Sequence, residues 1–173
     1  MEKYVPDIYQ KSIYTVDYSK LLSRGIKCIL FDLDNTLVPP HSYDLPQKAK
    51  DLIISLKQKG FKVIIFSNSP KIRVKTFRDF FDVDSIHCAC KPLQGKFKKM
   101  IRDYGFQVNE VAIIGDQLLT DIVGGNKAGI TTILVNPISK KDHIFSMLGR
   151  KIEKRKMKQL RNRDLFCKDR FYD

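Results

Sequence analysis

The sequence predicts an α/β domain in which a mainly parallel sheet carries helices on both faces, a three-layer, Rossmann-like arrangement. Three observations predict it. Apolar, β-rich runs recur at residues 27–31, 61–66, 111–114 and 130–135, short and continuous enough for strands buried on both faces. Helix-like stretches separate them, as parallel strands require. Reactive polar residues stand at the ends of the runs, the rim where open parallel sheets gather their sites.

Size and composition agree with one such domain. At 173 residues, 43% hydrophobic, the chain reads as a domain over residues 1–139, including an N-terminal extension, and a basic helical extension over 140–173. No apolar run approaches the roughly 18 residues of a membrane span, and the N-terminus lacks an apolar signal core, so a cytoplasmic protein is expected. Cys28, Cys88, Cys90 and Cys167 form no disulfide-like framework, which suits a reducing compartment.

The elements follow in order. The first run ends in Asp32-Leu33-Asp34-Asn35-Thr36, and alternate side chains of an extended backbone share a face, so Asp32 and Asp34 start out aimed at one small volume. Two like charges there repel unless a cation or a shared proton intervenes. A helix over 46–59 leads to the second run, which ends in Ser67-Asn68-Ser69-Pro70. The Ser67 hydroxyl and the following amides suit an anion, and equally suit a helix N-cap. A helix over 71–81 precedes a weaker fifth run near 83–89. Lys91 then precedes Pro92, which holds Lys91 extended at a strand end while Pro92 opens the next helix, over 93–104. Taken alone, Lys91 reads as an ordinary surface charge. After the 111–114 run, Gly115-Asp116 turns into a helix over 118–128 whose first turn carries Asp121, where an acid also favours the helix dipole. Clustered carboxylates at one rim call for a hard divalent cation with oxygen ligands, and magnesium is the expected ion. His87-Cys88-Ala89-Cys90 is too tightly spaced on its predicted strand to wrap a tetrahedral zinc and reads as reduced strand at the core edge.

The ordered set Asp32 to Thr36, Ser67, Lys91 and Gly115-Asp116 to Asp121 resembles the four motifs of the haloacid dehalogenase (HAD) superfamily over roughly residues 26–136. That resemblance implies an HAD-like fold and residue roles. Asp32 would be the nucleophile that forms an aspartyl-phosphate, and Asp34 the acid and base for the leaving alcohol and the incoming water. Ser67, Asn68 and Lys91 would bind the phosphoryl group, with Lys91 also steadying the nucleophile. Mg2+ would be held by the Asp32 carboxylate, the Asp34 carbonyl and Asp116, with Asp121 completing or orienting the shell. An acid at position 34 favours a phosphatase over a dehalogenase or an ion pump. Only 32 residues separate Asp34 from Ser67 and 23 separate Ser67 from Lys91, each gap filled by a helix and a strand, so no cap domain fits. A capless member of the superfamily resembles those that act on macromolecules or lipid head groups, or that borrow a lid from a partner.

Residues 6–14, the Asp32 motif and residues 115–126 are similar to a narrower group, the subclass IIIA YqeG-type phosphatases, related to organellar phosphatidylglycerophosphate phosphatases. The implied substrate is a phosphate monoester, with phosphatidylglycerophosphate the leading specific candidate.

The net charge of +13 is weighted to the tail, where residues 140–173 hold 12 Lys or Arg against 5 Asp or Glu. Such a surplus marks an anionic partner. A helix there places Ile144, Phe145, Leu148 and Ile152 on one face, either packed on the sheet or lying on an anionic membrane, which adds the inner membrane face to the expected locations. Contact of residues 151–163 with RNA, in a ribosome-associated binding protein on an HAD fold with little catalysis, is the alternative. Aromatic residues for base stacking are sparse there, so RNA is not favoured.

Overall fold

The computed structural model describes residues 2–139 and 144–173, the side chains of 144–151 excepted. Six strands, β1 (Ile8–Gln10), β2 (Cys28–Phe31), β3 (Lys62–Phe66), β4 (Asp84–Ile86), β5 (Val111–Gly115) and β6 (Thr131–Val135), pair in parallel in the order β1-β6-β5-β2-β3-β4. The helices between them are α1 (Tyr18–Ser23), α2 (Gln47–Gln58), α3 (Lys71–Phe81), α4 (Gly95–Tyr104) and α5 (Val123–Ala128), and α6 (Ile144–Arg161) follows the sheet.

Both faces of the sheet are buried, which is why its strands read as continuous apolar runs. Along β2 the side chains alternate: Ile29 and Phe31 join a core with Leu21 of α1, Ile53 and Leu56 of α2, and Phe77 and Phe81 of α3. Cys28 and Leu30 turn to the opposite face, where Phe97, Met100 and Ile101 of α4 cover them. The expected three layers are present, and between Asp34 and Lys91 the chain forms α2, β3, α3 and β4 with their connecting loops, the longest of them the β2–α2 loop over residues 32–46, with no inserted cap.

Four details differ from the sequence reading. β1 is a three-residue strand, too short for a periodic signal, that pairs with β6 and with Tyr172 at the far end of the chain. Residues 118–128 form two pieces: Leu118–Ile122 is a wide, π-type turn, and α5 begins at Val123. β4 ends at Ile86, so Lys91 stands in the loop that follows it, joined to Pro92 by a cis peptide, and the next helix opens at Gly95 rather than at Pro92. The same loop holds Cys88 and Cys90, exposed and with positive φ, so His87 to Cys90 is not strand.

A third, smaller core lies at the β1 edge. Leu160 of α6 and Phe166 pack there with Tyr9, Leu134, Leu118 and Ile122. The tail is therefore docked on the sheet by its distal half. The proposed apolar face at Ile144, Phe145 and Leu148 lies outside the described side chains, and Ile152 is exposed. Among the described residues no helix is long and apolar enough to cross a membrane.

Candidate active site

In an all-parallel sheet every loop that follows a strand emerges on one edge, and the loops after β2, β3, β4 and β5 deliver Asp32, Ser67, Lys91 and Asp116 to the same rim. Asp32, Asp116 and Asp121 each bring a carboxylate oxygen within 4.8 Å of the others, and all three are buried. Lys91 Nζ stands between two of them. It donates to Asp32 Oδ1 at 2.6 Å and lies 2.6 Å from Asp121 Oδ1, an ion pair at an angle short of a hydrogen bond.

The charges do not balance within this group, with three carboxylates facing one ammonium. Burial raises the Asp32 pKa to about 7; the Lys91 charge pulls it down, and the charge of Asp121 pushes it up. Asp116 is raised well above the usual carboxylate range, by burial first and then by the charges of Asp32 and Asp121. For Lys91, burial lowers the pKa, but the charges of Asp121 and Asp32 outweigh it and the net shift is upward. An oxygen-only donor set that is short of positive charge suits a hard divalent cation.

Local structure fixes each group. Asp121 is locked from both sides, because its Oδ2 accepts the Gln117 N–H at 3.1 Å while Oδ1 faces Lys91. Gly115 permits this: a Cβ there would lie 2.2 Å from Asp121 Oδ2. Thr36 Oγ1 donates to Asp116 Oδ1 at 3.3 Å. Ser67 is buried and does not cap α3, since its Oγ accepts the Ser69 amide at 3.1 Å and no side chain caps that helix. Asn68 grips the Lys91 backbone in both directions, accepting from its N–H at 2.8 Å and donating to its C=O at 3.1 Å.

Asp34 departs from the expected cluster. Its carboxylate is turned to Ser69 Oγ at 2.5 Å and to Arg73, whose Nη2 is 2.6 Å away, and it is not among the three clustered acids. Any part for Asp34 in metal binding therefore falls to its main-chain carbonyl.

Arg73 was absent from the sequence reading, and Ser69 entered it only as part of the polar turn after Ser67. Arg73 did carry a signal, for it shares the buried stripe of α3 with Phe77 and Phe81 at i, i+4 and i+8, a core-facing position for a charge. Glu153 had none. It reaches from α6 to accept the Leu118 N–H at 2.8 Å, lines a cavity of about 90 Å³ beside Asp116, and its charge helps raise the Asp116 pKa.

The chain is similar in sequence and in fold to known phosphatases. The family model described as mitochondrial PGP phosphatase matches residues 2–80, and the HAD-hydrolase-like model matches residues 88–141. A probable phosphatase, YqeG of Bacillus subtilis, is 36% identical over 163 residues, which covers 92% of this chain and 93% of the relative. The chloroplastic/mitochondrial phosphatidylglycerophosphate phosphatase 1 of Arabidopsis thaliana is 27% identical over 82% of this chain, but the match spans only 43% of that protein. Among solved structures, 3-deoxy-D-manno-octulosonate 8-phosphate phosphatase from Moraxella catarrhalis, in complex with magnesium ion and phosphate, superposes with a TM-score of 0.55 at 16% identity, over 70% of this chain and 76% of that one. That likeness shows a shared fold. With the four strand-end motifs on one rim and a close relative along nearly its whole length, the chain belongs to the YqeG-type, subclass IIIA phosphatases of the HAD superfamily.

Proposed function

We propose that the protein is a Mg2+-dependent phosphomonoesterase that works through an aspartyl-phosphate on Asp32 and takes phosphatidylglycerophosphate as its substrate. The observation that carries the chemistry is the pairing of Asp32 with Lys91 inside a carboxylate cluster short of positive charge. The ammonium keeps Asp32 Oδ1 fixed and biases the carboxylate towards its ionised, nucleophilic form despite burial. Asp32, Asp116 and the Asp34 carbonyl would hold a magnesium ion, with Asp121 orienting Lys91 behind them, and the bound ion would supply positive charge to the phosphoryl oxygens.

The chain's own groups do the remaining work. Ser67 Oγ and the Asn68 amide bind phosphoryl oxygens, and the Asn68 side chain presents Lys91 to them through its backbone. Asp34, on the same rim but on its own set of partners, protonates the leaving alcohol as the bond to phosphorus breaks and takes the proton of the water that then cleaves the acyl phosphate. Its separation from the acid cluster supports two roles for two carboxylates. The lipid assignment is supported by the relatives whose names carry phosphatidylglycerophosphate and by a rim with no inserted cap.

Purified protein with Mg2+ is expected to release phosphate from p-nitrophenyl phosphate, with Asp32→Asn leaving less than about a thousandth of the rate. Equal release by the variant would remove Asp32 as nucleophile. Turnover of phosphatidylglycerophosphate is then compared with that of soluble glycerol and sugar phosphates, and a soluble ester preferred over the lipid would overturn the substrate assignment.

A further inference from the structure

The five most exposed large apolar side chains among the described residues are Ile72, Leu93, Tyr43, Ile138 and Leu45, between 49% and 80% exposed. They are not scattered. Tyr43 and Leu45 lie in the loop after β2, Ile72 in the first turn after β3, Leu93 two residues beyond Lys91, and Ile138 after β6. Each follows the carboxyl end of a parallel strand, so all five ring the site-bearing rim of the sheet. Two are tied directly to the site: the Ile138 N–H donates to Asn35 O at 3.0 Å, and the Arg73 that pairs with Asp34 also donates to Ser42 O at 2.8 Å beside Tyr43. Single exposed apolar residues need no explanation, but a ring of them around a catalytic mouth does.

Charge on the same rim selects what the ring meets. The helices α2, α3 and α4 all begin there, and none has an acid in its first turn; each carries basic residues instead, with Lys48, Lys71 and Lys98 exposed. Lysine at a helix N-terminus opposes the dipole, so three such helices in succession forgo helix stability for a positive rim. Apart from the site acids Asp32 and Asp34, the β2–α2 loop carries one acid, Asp44, and it is hydrogen-bonded to Ser42. Exposed aliphatic and tyrosine side chains set among lysines match the headgroup zone of an anionic bilayer, which accepts apolar groups to a shallow depth and attracts Lys near its surface.

We propose that the catalytic rim itself is an interfacial docking surface that seats on an anionic phospholipid bilayer through Ile72, Leu93, Tyr43, Leu45 and Ile138, bringing the phosphate-binding pocket down onto a headgroup. This rests on the phosphatase reading above and adds a surface and an orientation to it. It places the membrane contact on the sheet rim rather than on the basic tail.

The test separates adsorption from catalysis. Full-length Asp32→Asn, chosen to remove turnover, is sedimented with phosphatidylcholine vesicles with or without 30% phosphatidylglycerol. Binding to the anionic vesicles is expected, falling at least tenfold in Ile72→Ser/Leu93→Ser and in Lys71→Glu, while the same rim changes in the active protein leave Mg2+-dependent hydrolysis of p-nitrophenyl phosphate intact and so report a folded site. No binding to anionic vesicles, binding unchanged by the rim substitutions, or binding lost only with Lys154→Glu/Lys158→Glu in the tail would each overturn the proposal. Loss of aryl phosphate hydrolysis by the parent protein would instead overturn the phosphatase reading.

Discussion

Arg73 Nη2 stands 2.6 Å from Asp34 Oδ1, and the same guanidinium donates to the carbonyls of Ser42 and Pro39 while lying 5.2 Å from the rings of Tyr43 and Phe77. One buried side chain thus ties the proposed acid to the loop that overhangs it. A planar, forked donor can serve these partners together, whereas an ammonium cannot.

Arg73→Lys is therefore expected to slow hydrolysis according to the leaving group. An alkyl phosphate, whose alkoxide must be protonated as it departs, loses about a hundredfold in kcat, and p-nitrophenyl phosphate loses less than about tenfold. Added guanidinium partly restores alkyl phosphate turnover in Arg73→Ala. Equal losses on both esters would reduce Arg73 to a structural residue.

Gly115→Ala tests the lock on Asp121. The new Cβ would lie 2.2 Å from Asp121 Oδ2, so the carboxylate must swing away from the Gln117 amide and from Lys91. The Mg2+ concentration for half-maximal activity is expected to rise about tenfold or more, with the domain still folded by circular dichroism. Unchanged Mg2+ dependence would show that Asp121 has no part in arranging the site.

The crowded carboxylates set a pH dependence for the metal-free protein. A carboxyl whose pKa rises on folding, here Asp32 from an ordinary value near 4 to about 7, binds its proton more tightly in the folded state. The stability it contributes is present at low pH and is lost as pH climbs through that window. In EDTA the Tm therefore falls between about pH 4 and 7, and the gain on adding saturating Mg2+ grows over the same range. Thermal melts at four pH values measure both, and a Mg2+ gain independent of pH would contradict the shared-charge account.

Docking of the tail is testable at Leu160. Fully buried against Tyr9, Leu118 and Leu134, it is expected to cost about 2–5 kcal/mol when cut to alanine, read by urea unfolding. Because α6 also brings Glu153 to the Leu118 amide, Leu160→Ala is expected to weaken Mg2+-dependent activity as well. A loss of stability below about 0.5 kcal/mol would mean that the tail is not integral to the fold.

The strands were legible because burial on both faces writes a continuous apolar run into residues 28–31, 62–66, 111–115 and 131–135, a local pattern visible without neighbours. Asp32, Ser67 and Asp116 were legible for a related reason, since a polar residue directly after such a run has few places to go except the rim, whereas Lys91, in the loop past β4, was legible only through its place in the four-motif resemblance. β1, with three residues, and the two-part 118–128 segment were not, because their form is set by pairing with β6 and by the wide turn that aims Asp121 inward. The opening pair of acids, Asp32 and Asp34, came from the sequence alone. That they part company, Asp32 to Lys91 and Asp34 to Arg73 and Ser69, was decided only when strands far apart in the chain came side by side. The physical reason is electrostatic: two neighbouring carboxylates are buried most cheaply with separate cations, and those cations lie 39 and 59 residues away in sequence.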